Sequence, residues 1–467
     1  MTVLLARRHS GSGTLRFVSK RIHEVRDPVH VFVHFDDDER AVIDSVPFQR
    51  LRNIHQLALT YLVYPGASHK RFEHSLGVME LAGRIYDTVT RDDKRSDAVR
   101  DVFPSAKDHG YWRTVVRMAA LCHDLGHLPF SHAAEDALLP DGVDHERITW
   151  DILHSDMATI LADLVPPVRP DLVGKLALGP RKAEKLGLRL EFDPWEAILA
   201  EIIVGDAFGA DRMDYLLRDS LHTGATYGRF DHHRLIDTLR IMPSAPREEG
   251  EGEGLAEPTL GCERGGLQSA EALLLARYFM FSQVYYHPTR LAYNEHLKDF
   301  LVEWLPDGRF AADPSAHLAR DDSDVLCAIK LAARSPSAPG HRAARRIVSR
   351  DHFKVAYVRS PDDSSDDVRA LADAAAERFS PELVRHGASP SRGAAPDFPV
   401  FDRDGRSVSA LGLSDVFGKL PTSPDEYVLA DRSIRPELAR WISREREQIL
   451  EEALDAQTEE IDEEVTT

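Results

Sequence analysis

Apolar residues recur at helical spacing in the first part of the chain. They follow one another at steps of three between 48 and 57, and the segment VVRMAALC at 115–122 is apolar nearly all round, which predicts a helix in the interior. Gly126 would end this helix soon after its last apolar residue. The pattern predicts a helical core in which His123 and Asp124 follow the C-terminal end of a buried helix.

The pattern changes in the later part of the chain. Beyond about residue 313, loops rich in Pro, Ser and Ala separate short apolar runs such as FKVAYV and FPVFD from isolated helical stretches, which is typical of an α+β lobe. Earlier, two short strands flank a segment rich in Gly, Glu and Pro that we expect to be a mobile hairpin loop. The fold class is thus mainly α, with a helical core and a small α+β C-terminal lobe. The predicted ranges are a flexible N-terminal arm at 1–20, the core at 21–312 with its hairpin loop at 243–257, the lobe at 313–444 and an acidic tail at 445–467.

Length and charge narrow the class of protein. The chain has 467 residues and a formal net charge of -19 at pH 7, and one hydrophobic core usually supports only roughly 250 to 300 residues. The negative charge disfavours broad nucleic-acid binding, and no apolar run reaches the roughly 18 residues of a membrane span. The three cysteines have no paired spacing and fit a reducing cytoplasm. We expect a cytoplasmic protein that binds neither nucleic acid nor a membrane.

Two histidines and two aspartates are candidates for one metal site. His123 and Asp124 are adjacent, and the distant His74 and Asp211 lie in settings that could join them. Such a mixed nitrogen and oxygen set suits Mg, Mn or Fe better than a structural zinc ion. A lone His–Asp pair is more often an ordinary hydrogen-bonded pair, so this interpretation depends on further chemistry nearby.

That further chemistry is a cluster of histidines. His127, His132 and His145 follow within a short stretch, and ordinary core histidines are rarely so crowded. Glu135 and Asp136 are candidates for carboxylates that orient two of the rings through their second nitrogens. The cluster indicates a catalytic neighbourhood.

A second set of charged residues lies on the helix predicted around Asp211. Asp211, Tyr215 and Asp219 recur at four-residue steps and therefore share one helix face. A solvated face is the simpler interpretation, but the neighbouring apolar residues indicate partial burial, where charges need partners. The guanidinium of Arg71 suits phosphate oxygens, and Arg277 is a weaker candidate.

Four segments together resemble one known family. They are PGASHKRFEHSLGV, LCHDLGHLPFSH, DHE and ADRMDYLLRDSLHTG. Their order is similar to that in the HD-domain phosphohydrolase superfamily, and in particular in its SAM-and-HD-domain deoxynucleoside triphosphate triphosphohydrolases and their bacterial homologues. The resemblance runs from about Asp27 to His296, and the stretch before Asp27 is too short for a SAM domain, so we expect none.

The resemblance implies a role for each matching residue. His132 would be the general acid that protonates the departing 5′ oxygen, with Glu135 as its acidic partner, and Tyr285 would help to exclude a 2′-hydroxyl. The implied metal ligands are His74, His123, Asp124 and Asp211, the implied catalytic histidines are His127, His132 and His145, and the implied substrate-binding residues are Gln56, Leu57, Arg71, Arg212, Tyr215, Asp219, Arg277 and Tyr285.

Some positions depart from the family pattern. Arg212 stands where the vertebrate enzyme has lysine, which keeps the charge and changes its geometry. Asp44, Gln49 and Arg52 resemble part of a group that binds an activating nucleotide at a subunit interface, but His23 replaces a basic residue there. Homo-oligomerisation and nucleotide activation stay open, and the departures argue against an obligate activator.

The implied activity is hydrolysis of a dNTP to a deoxynucleoside and inorganic triphosphate, by water attack at the α-phosphorus. It implies a divalent metal, Mg, Mn or Fe, and a second ion stays open. One alternative is an HD-domain nucleotidase or phosphodiesterase acting on another nucleotide, and another is a non-catalytic HD scaffold that binds a nucleotide or a partner. The resemblance also suggests a role in dNTP-pool control or in antiphage defence, and no residue decides between the two.

Overall fold

A computed structural model gives a mainly helical chain with several small sheets, which confirms the predicted fold class. It describes residues 4–7, 16–133, 135–244, 257–388, 396–402, 406–420 and 426–466. The helices are α1 (Asp37–Ile43), α2 (Val46–Arg50), α3 (Arg71–Val89), α4 (His109–Cys122), α5 (Glu135–Leu138), α6 (His145–His154), α7 (Ala158–Asp163), α8 (Pro170–Leu178), α9 (Pro180–Lys185), α10 (Pro194–Val204), α11 (Ala210–Thr223), α12 (His232–Thr238), α13 (Leu267–Met280), α14 (Pro288–Trp304), α15 (Pro314–Leu318), α16 (Asp322–Ala332), α17 (His341–Val348), α18 (Ser365–Phe379) and α19 (Arg435–Thr466). The strands are β1 (Leu4–Arg7), β2 (Arg16–Ser19), β3 (Ile22–Asp27), β4 (Val31–Asp36), β5 (Leu239–Pro243), β6 (Pro258–Glu263), β7 (Lys354–Val358), β8 (Val384–Ala388), β9 (Pro399–Phe401), β10 (Ser407–Ser409) and β11 (Glu426–Ala430).

The chain forms two compact units. The first comprises Met1–Met280, Phe310–Ser323 and Ala395–Leu420, and its centre is α3, which packs against α4, α10 and α11. The last eight residues of α4 are all buried, as their apolar sequence predicts. The second unit comprises Phe281–Arg309, Asp324–Ala394 and Pro421–Thr467. Residues 281–309, which the sequence places in the core, therefore belong to the second unit.

The first unit also contains a small sheet, ordered β10-β9-β6-β5. β5 and β6 form the predicted antiparallel hairpin, with Leu239 opposite Cys262, while residues 245–256 of the expected mobile loop lie outside the described residues. β9, from the FPVFD segment, pairs in parallel with β6 through Val400 and Cys262. The sequence places this strand in the C-terminal lobe, because local pattern does not indicate a partner so distant along the chain.

The second unit has the α+β character expected of a lobe. Its sheet is ordered β7-β11-β8, with both neighbours antiparallel to β11. Val428 on β11 is buried together with Leu371 on α18 and Ile442 on α19. Apolar side chains of one sheet face and two helices therefore share one core.

The chain ends and the cysteines add local detail. β1 and β2 pair antiparallel within the segment expected to be a flexible arm, and α19 continues through the acidic tail to Thr466. Cys122 and Cys262 are buried, Cys327 is exposed, and all three are free thiols. Within the described ranges, every helix is too short or too polar to span a bilayer.

Candidate metal centre and histidine cluster

Helix ends deliver the predicted metal ligands to one place in the first unit. α3 carries His74 in its first turns, with the ring almost fully buried. α4 ends at Cys122, so that His123 and Asp124 follow directly, and α11 begins at Ala210, which places Asp211 in its first turn. Because α3 packs against both other helices, the four side chains meet.

The distances between these ligand atoms are short. Asp211 Oδ1 lies 3.0 Å from His74 Nε2 and 3.6 Å from His123 Nε2. Asp124 reaches both rings, with Oδ1 at 3.2 Å from His123 Nε2 and Oδ2 at 3.7 Å from His74 Nε2. The structure therefore brings together all four residues that the sequence predicts as ligands.

The donor set fits a divalent cation. His123 donates its Nδ1–H to the carbonyl of Ala120 at 2.8 Å, and its buried Nε2 has no hydrogen-bond partner among the described residues. A neutral His123 ring with its proton on Nδ1 would present the lone pair of Nε2 toward the carboxylate oxygens of Asp124 and Asp211. Acceptors that face one another in a buried space need a positive charge between them, and a metal ion supplies one.

The electrostatics of the cluster also favour a positive charge. Burial acts to lower the pKa of His74, but hydrogen bonds with Asp211 and Asp214 outweigh it and raise that pKa to about 10. Burial acts to raise the pKa of Asp211, but the nearby rings of His123 and His74 outweigh it and hold that pKa well below its ordinary range. The carboxylate is thus ionised at neutral pH and available to a cation.

A second cluster lies beside the first and contains the three predicted catalytic histidines. Glu135 receives both neighbouring rings: His132 donates Nδ1–H to Oε2 at 2.8 Å, and His145 donates Nδ1–H to Oε1 at 2.7 Å. The backbone N–H of His145 adds a bond to the same oxygen at 2.6 Å. Of the two carboxylates that the sequence offers for orienting these rings, Glu135 contacts both rings. The side chain of Asp136 lies outside the described residues, so its role stays a prediction.

His127 links the two clusters. Its Nε2 lies 3.2 Å from Asp124 Oδ1, and its ring stacks on that of His145 with 3.8 Å between centroids. Burial and the nearby Arg71 hold the pKa of His127 well below its ordinary value. Ligand atoms of His127, His132, Glu135 and His145 lie within 4.8 Å of one another, so this cluster also has the spacing of a cation site.

Two arginines lie close to these clusters along the chain. Arg71, buried at the start of α3, donates from Nε to Ser131 Oγ at 2.7 Å and from NH1 to Asp124 Oδ2 at 2.5 Å. Arg212 adjoins Asp211, and its buried Nε and NH1 have no hydrogen-bond partner within the described ranges. Its Nη2 lies 3.8 Å from Asp206 Oδ1, which is too far for a hydrogen bond. Arg212 therefore has donors available for an anion.

The other predicted substrate residues occupy different parts of the fold. Asp219 is buried and accepts a hydrogen bond from His69 Nε2 at 2.7 Å. Leu57 is buried, Arg277 lies on α13, and Tyr285 belongs to the second unit. The substrate roles of these residues, and of Gln56 and Tyr215, stay predictions.

Sequence reasoning missed a group of residues behind the site. Asp214 and Arg218 on α11 are fully buried and form two hydrogen bonds with each other. Their spacing of four on a helix was the available signal. Asp322 was missed too: it accepts from the backbone N–H groups of His55 at 2.8 Å and Phe130 at 2.7 Å, and no local pattern connects it with the histidine cluster.

Family comparisons agree with this arrangement. The sequence matches the HD domain over residues 71–185 and the HD associated region over residues 230–387. The first match contains His74, His123 and Asp124, whereas Asp211 falls between the two. The grouping of Asp211 with the other ligands therefore depends on the geometry described above.

Relatives occur in archaea, bacteria and animals. The chain is 35% identical over 268 residues to an uncharacterized protein of Methanocaldococcus jannaschii, covering 57% of this chain and 46% of the relative. It is 30% identical over 250 residues to the deoxynucleoside triphosphate triphosphohydrolase SAMHD1 of Bos taurus, covering 49% and 40%. The chain thus spans about half the length of the curated relatives it matches.

Solved structures share the fold over most of the chain. A hypothetical protein from Aquifex aeolicus is 29% identical with a TM-score of 0.70, covering 90% of this chain and 99% of that one. A phosphohydrolase from Bacteroides thetaiotaomicron is 22% identical with a TM-score of 0.66, covering 88% and 100%, and shows likeness of fold alone. The two matched domains and the sequence relatives show that the chain belongs to the HD-domain phosphohydrolase superfamily.

Proposed function

We propose that this protein is a metal-dependent deoxynucleoside triphosphate triphosphohydrolase, which releases a deoxynucleoside and inorganic triphosphate. The observation that carries the proposal is the meeting of the His74, His123, Asp124 and Asp211 ligand atoms beside two histidines oriented by Glu135. A relative named as such a triphosphohydrolase matches at 30% identity, which supports this substrate class over other phosphate esters.

The four ligands would hold one divalent cation. Such an ion polarises phosphoryl oxygens and makes water more acidic. The chain's own contribution is geometric: Ala120 fixes the proton of His123 on Nδ1, so that Nε2 faces the ligand position. Asp124 is held from the other side by Arg71, whose charge suits phosphate oxygens.

His132 would protonate the leaving group. Its side chain is 61% exposed, whereas that of His145 is only 13% exposed, so His132 is the ring of this pair that substrate reaches more easily. Glu135 holds the proton on Nδ1 and directs Nε2 away from itself. A proton carried on Nε2 would pass to the 5′ oxygen as the bond to the α-phosphorus breaks.

Substrate contacts complete the proposal. Arg212, with its available donors, would bind the triphosphate. Gln56, Leu57, Tyr215, Asp219 and Arg277 would surround the sugar. A closely packed wall at the 2′ position would make deoxyribose the preferred sugar.

A chromatographic product assay tests the function directly. Purified protein is incubated with each dNTP and each rNTP in Mg, Mn or Fe(II), with and without GTP as an added activator. Deoxynucleoside and intact triphosphate from dNTPs alone are expected. Release of orthophosphate would indicate a different nucleotidase, and intact dNTPs in every condition, with metal shown to be bound, would contradict the proposal.

A further inference from the structure

Asp214 lies directly behind one metal ligand. It is completely buried, and its Oδ2 accepts a hydrogen bond from His74 Nδ1 at 2.8 Å. On the far side of the ring, His74 Nε2 lies 3.0 Å from Asp211 Oδ1. Because Asp214 keeps a proton on Nδ1, a cation bound at Nε2 would meet the lone pair of the neutral ring. Carboxylates that accept from the second nitrogen of a ligand histidine fix its ring orientation and raise its basicity.

Asp214 is itself fixed by donors on three sides. Arg218 donates from Nε to Oδ2 at 2.8 Å and from NH2 to Oδ1 at 2.9 Å. His30 donates from Nε2 to Oδ1 at 2.6 Å. Each carboxylate oxygen therefore has two partners, and the side chain has no freedom to turn.

The support continues to the turn between β3 and β4. Arg218 donates from NH1 to Asp27 Oδ2 at 2.8 Å, and Asp27 Oδ1 accepts the backbone N–H groups of Val29 and His30, both at 2.8 Å. The Asp27 carboxylate thus bonds both to the turn that carries His30 and to the Arg218 guanidinium, which in turn bonds to Asp214. All these residues lie in the first unit.

The Asp214 carboxylate fits against α3 because residue 77 of that helix is a glycine. A Cβ at Gly77, one turn after His74 on α3, would lie 2.0 Å from Asp214 Oδ1 and 2.5 Å from Arg218 NH2. Glycine at this position lets α11 bring Asp214 against the backbone of α3. A larger residue at position 77 would therefore displace the carboxylate that bonds His74.

We infer that Asp214 is a positioning residue for the metal centre, and that Arg218 and the Asp27–His30 turn hold it in place. The inference deepens the proposed function and rests on its assignment of His74 as a metal ligand. It adds the hairpin of β3 and β4, which precedes the matched HD domain, to the structure that tunes metal affinity.

Cation affinity is the measurement that tests this role. Mn²⁺ binding to metal-free protein is measured by calorimetry, together with the thermal unfolding of each metal-free variant. For Asp214→Asn, which leaves His74 with an amide partner, we expect affinity to fall by about 10- to 100-fold. Glu39→Gln is the matched control, because Glu39 is a buried carboxylate paired with Arg117; it should lose stability and keep its Mn²⁺ affinity.

A pair of variants at His30 tests the same role if Asp214→Asn does not fold. His30→Leu removes one donor to Asp214 and should weaken Mn²⁺ binding by less than Asp214→Asn does, whereas His30→Gln restores an N–H donor and should recover most of the affinity. Unchanged affinity in folded Asp214→Asn, or equal affinity in both His30 variants, would overturn the inference. Absence of Mn²⁺ binding in the wild type would instead remove the metal assignment of the proposed function.

Discussion

At the scale of single residues, the side chain of Arg212 has opposite effects on the stability of the fold and on ligand binding. Its charge is largely buried, and two of its nitrogens lack hydrogen-bond partners within the described ranges. Such a group costs stability unless a ligand supplies the missing acceptors. A phosphate group would do so.

Arg212→Met should therefore change stability and substrate binding in opposite directions. We expect the metal-free protein to unfold at the same or a higher temperature, and the KM for dNTP to rise about tenfold, the equivalent of one lost charge-assisted hydrogen bond. Scanning calorimetry and steady-state kinetics measure the two effects. Arg189→Met, at an exposed position, is the control; a marked loss of stability in Arg212→Met would contradict the interpretation.

Glu135 is the residue through which the histidine cluster can be tested separately from the metal. Hydrogen bonds and charges of His132 and His145 outweigh burial and hold its pKa far below the ordinary range, so it accepts from both rings. In Glu135→Gln one oxygen becomes an NH2 group, which cannot accept from the second ring. We expect kcat to fall by about 10- to 100-fold with Mn²⁺ affinity unchanged, while exposed Glu184→Gln keeps full activity.

At the scale of elements, the segment after α4 depends on residues far along the chain. Phe130 and Ser131 both have positive φ, 62° and 57°, a conformation that costs energy for residues other than glycine. Asp322 accepts the N–H of Phe130, and Ser131 Oγ donates to the carbonyl of His55 at 3.0 Å. These bonds stabilise the strained backbone immediately before His132.

Asp322→Asn should release this segment. The carboxylate accepts from Phe130 N, His55 N and His55 Nδ1, and an amide cannot accept all three bonds. We expect about 1–3 kcal/mol less stability in urea unfolding and a lower kcat with little change in Mn²⁺ affinity. Asp163→Asn, an exposed position, serves as control; unchanged kcat in a destabilised Asp322→Asn would show that the segment does not position His132.

At the scale of the whole molecule, buried histidines make stability depend on pH. Burial lowers the pKa of His296 to about 3, and its Nε2 accepts the backbone N–H of Phe353 at 3.2 Å. The unfolded chain takes up a proton here below the ordinary pKa of 6.5, whereas the folded chain does so only near 3. The stability that this residue contributes is therefore fully present above pH 6.5 and is lost as the pH falls from 6.5 to about 3.

His296→Gln should make the stability less dependent on pH between 6.5 and 3, because glutamine can accept the same backbone bond and does not titrate. Urea unfolding at a series of pH values measures this slope. His34→Gln, at an exposed histidine, should leave the slope as in the wild type. A slope unchanged by His296→Gln would contradict the assignment of acid sensitivity to this residue.

The sequence predicts what depends on local pattern. The apolar run 115–122 predicts α4 and the place of His123, and the resemblance of four segments predicts the ligands that the structure brings together. The pairing of β9 with β6 and the hydrogen bonds of Asp322 join segments that are distant along the chain. The spacing of apolar residues within one segment does not indicate such contacts. The role of Asp214 was not predicted for a different reason: it depends on the proton that His74 carries on Nδ1, the nitrogen that faces away from the metal position.

The dependence of the histidine cluster on Asp322 has a consequence for synthesis on the ribosome. Asp322 follows Phe130 by 192 residues, so a growing chain holds the complete set of proposed metal ligands well before the carboxylate that stabilises the segment preceding His132. Domains fold progressively as the chain emerges, and contacts between distant segments form late. On the proposed function, a nascent chain that ends before residue 322 would bind a cation while its general acid is still loosely held, and hydrolysis would begin only after the later segment has docked.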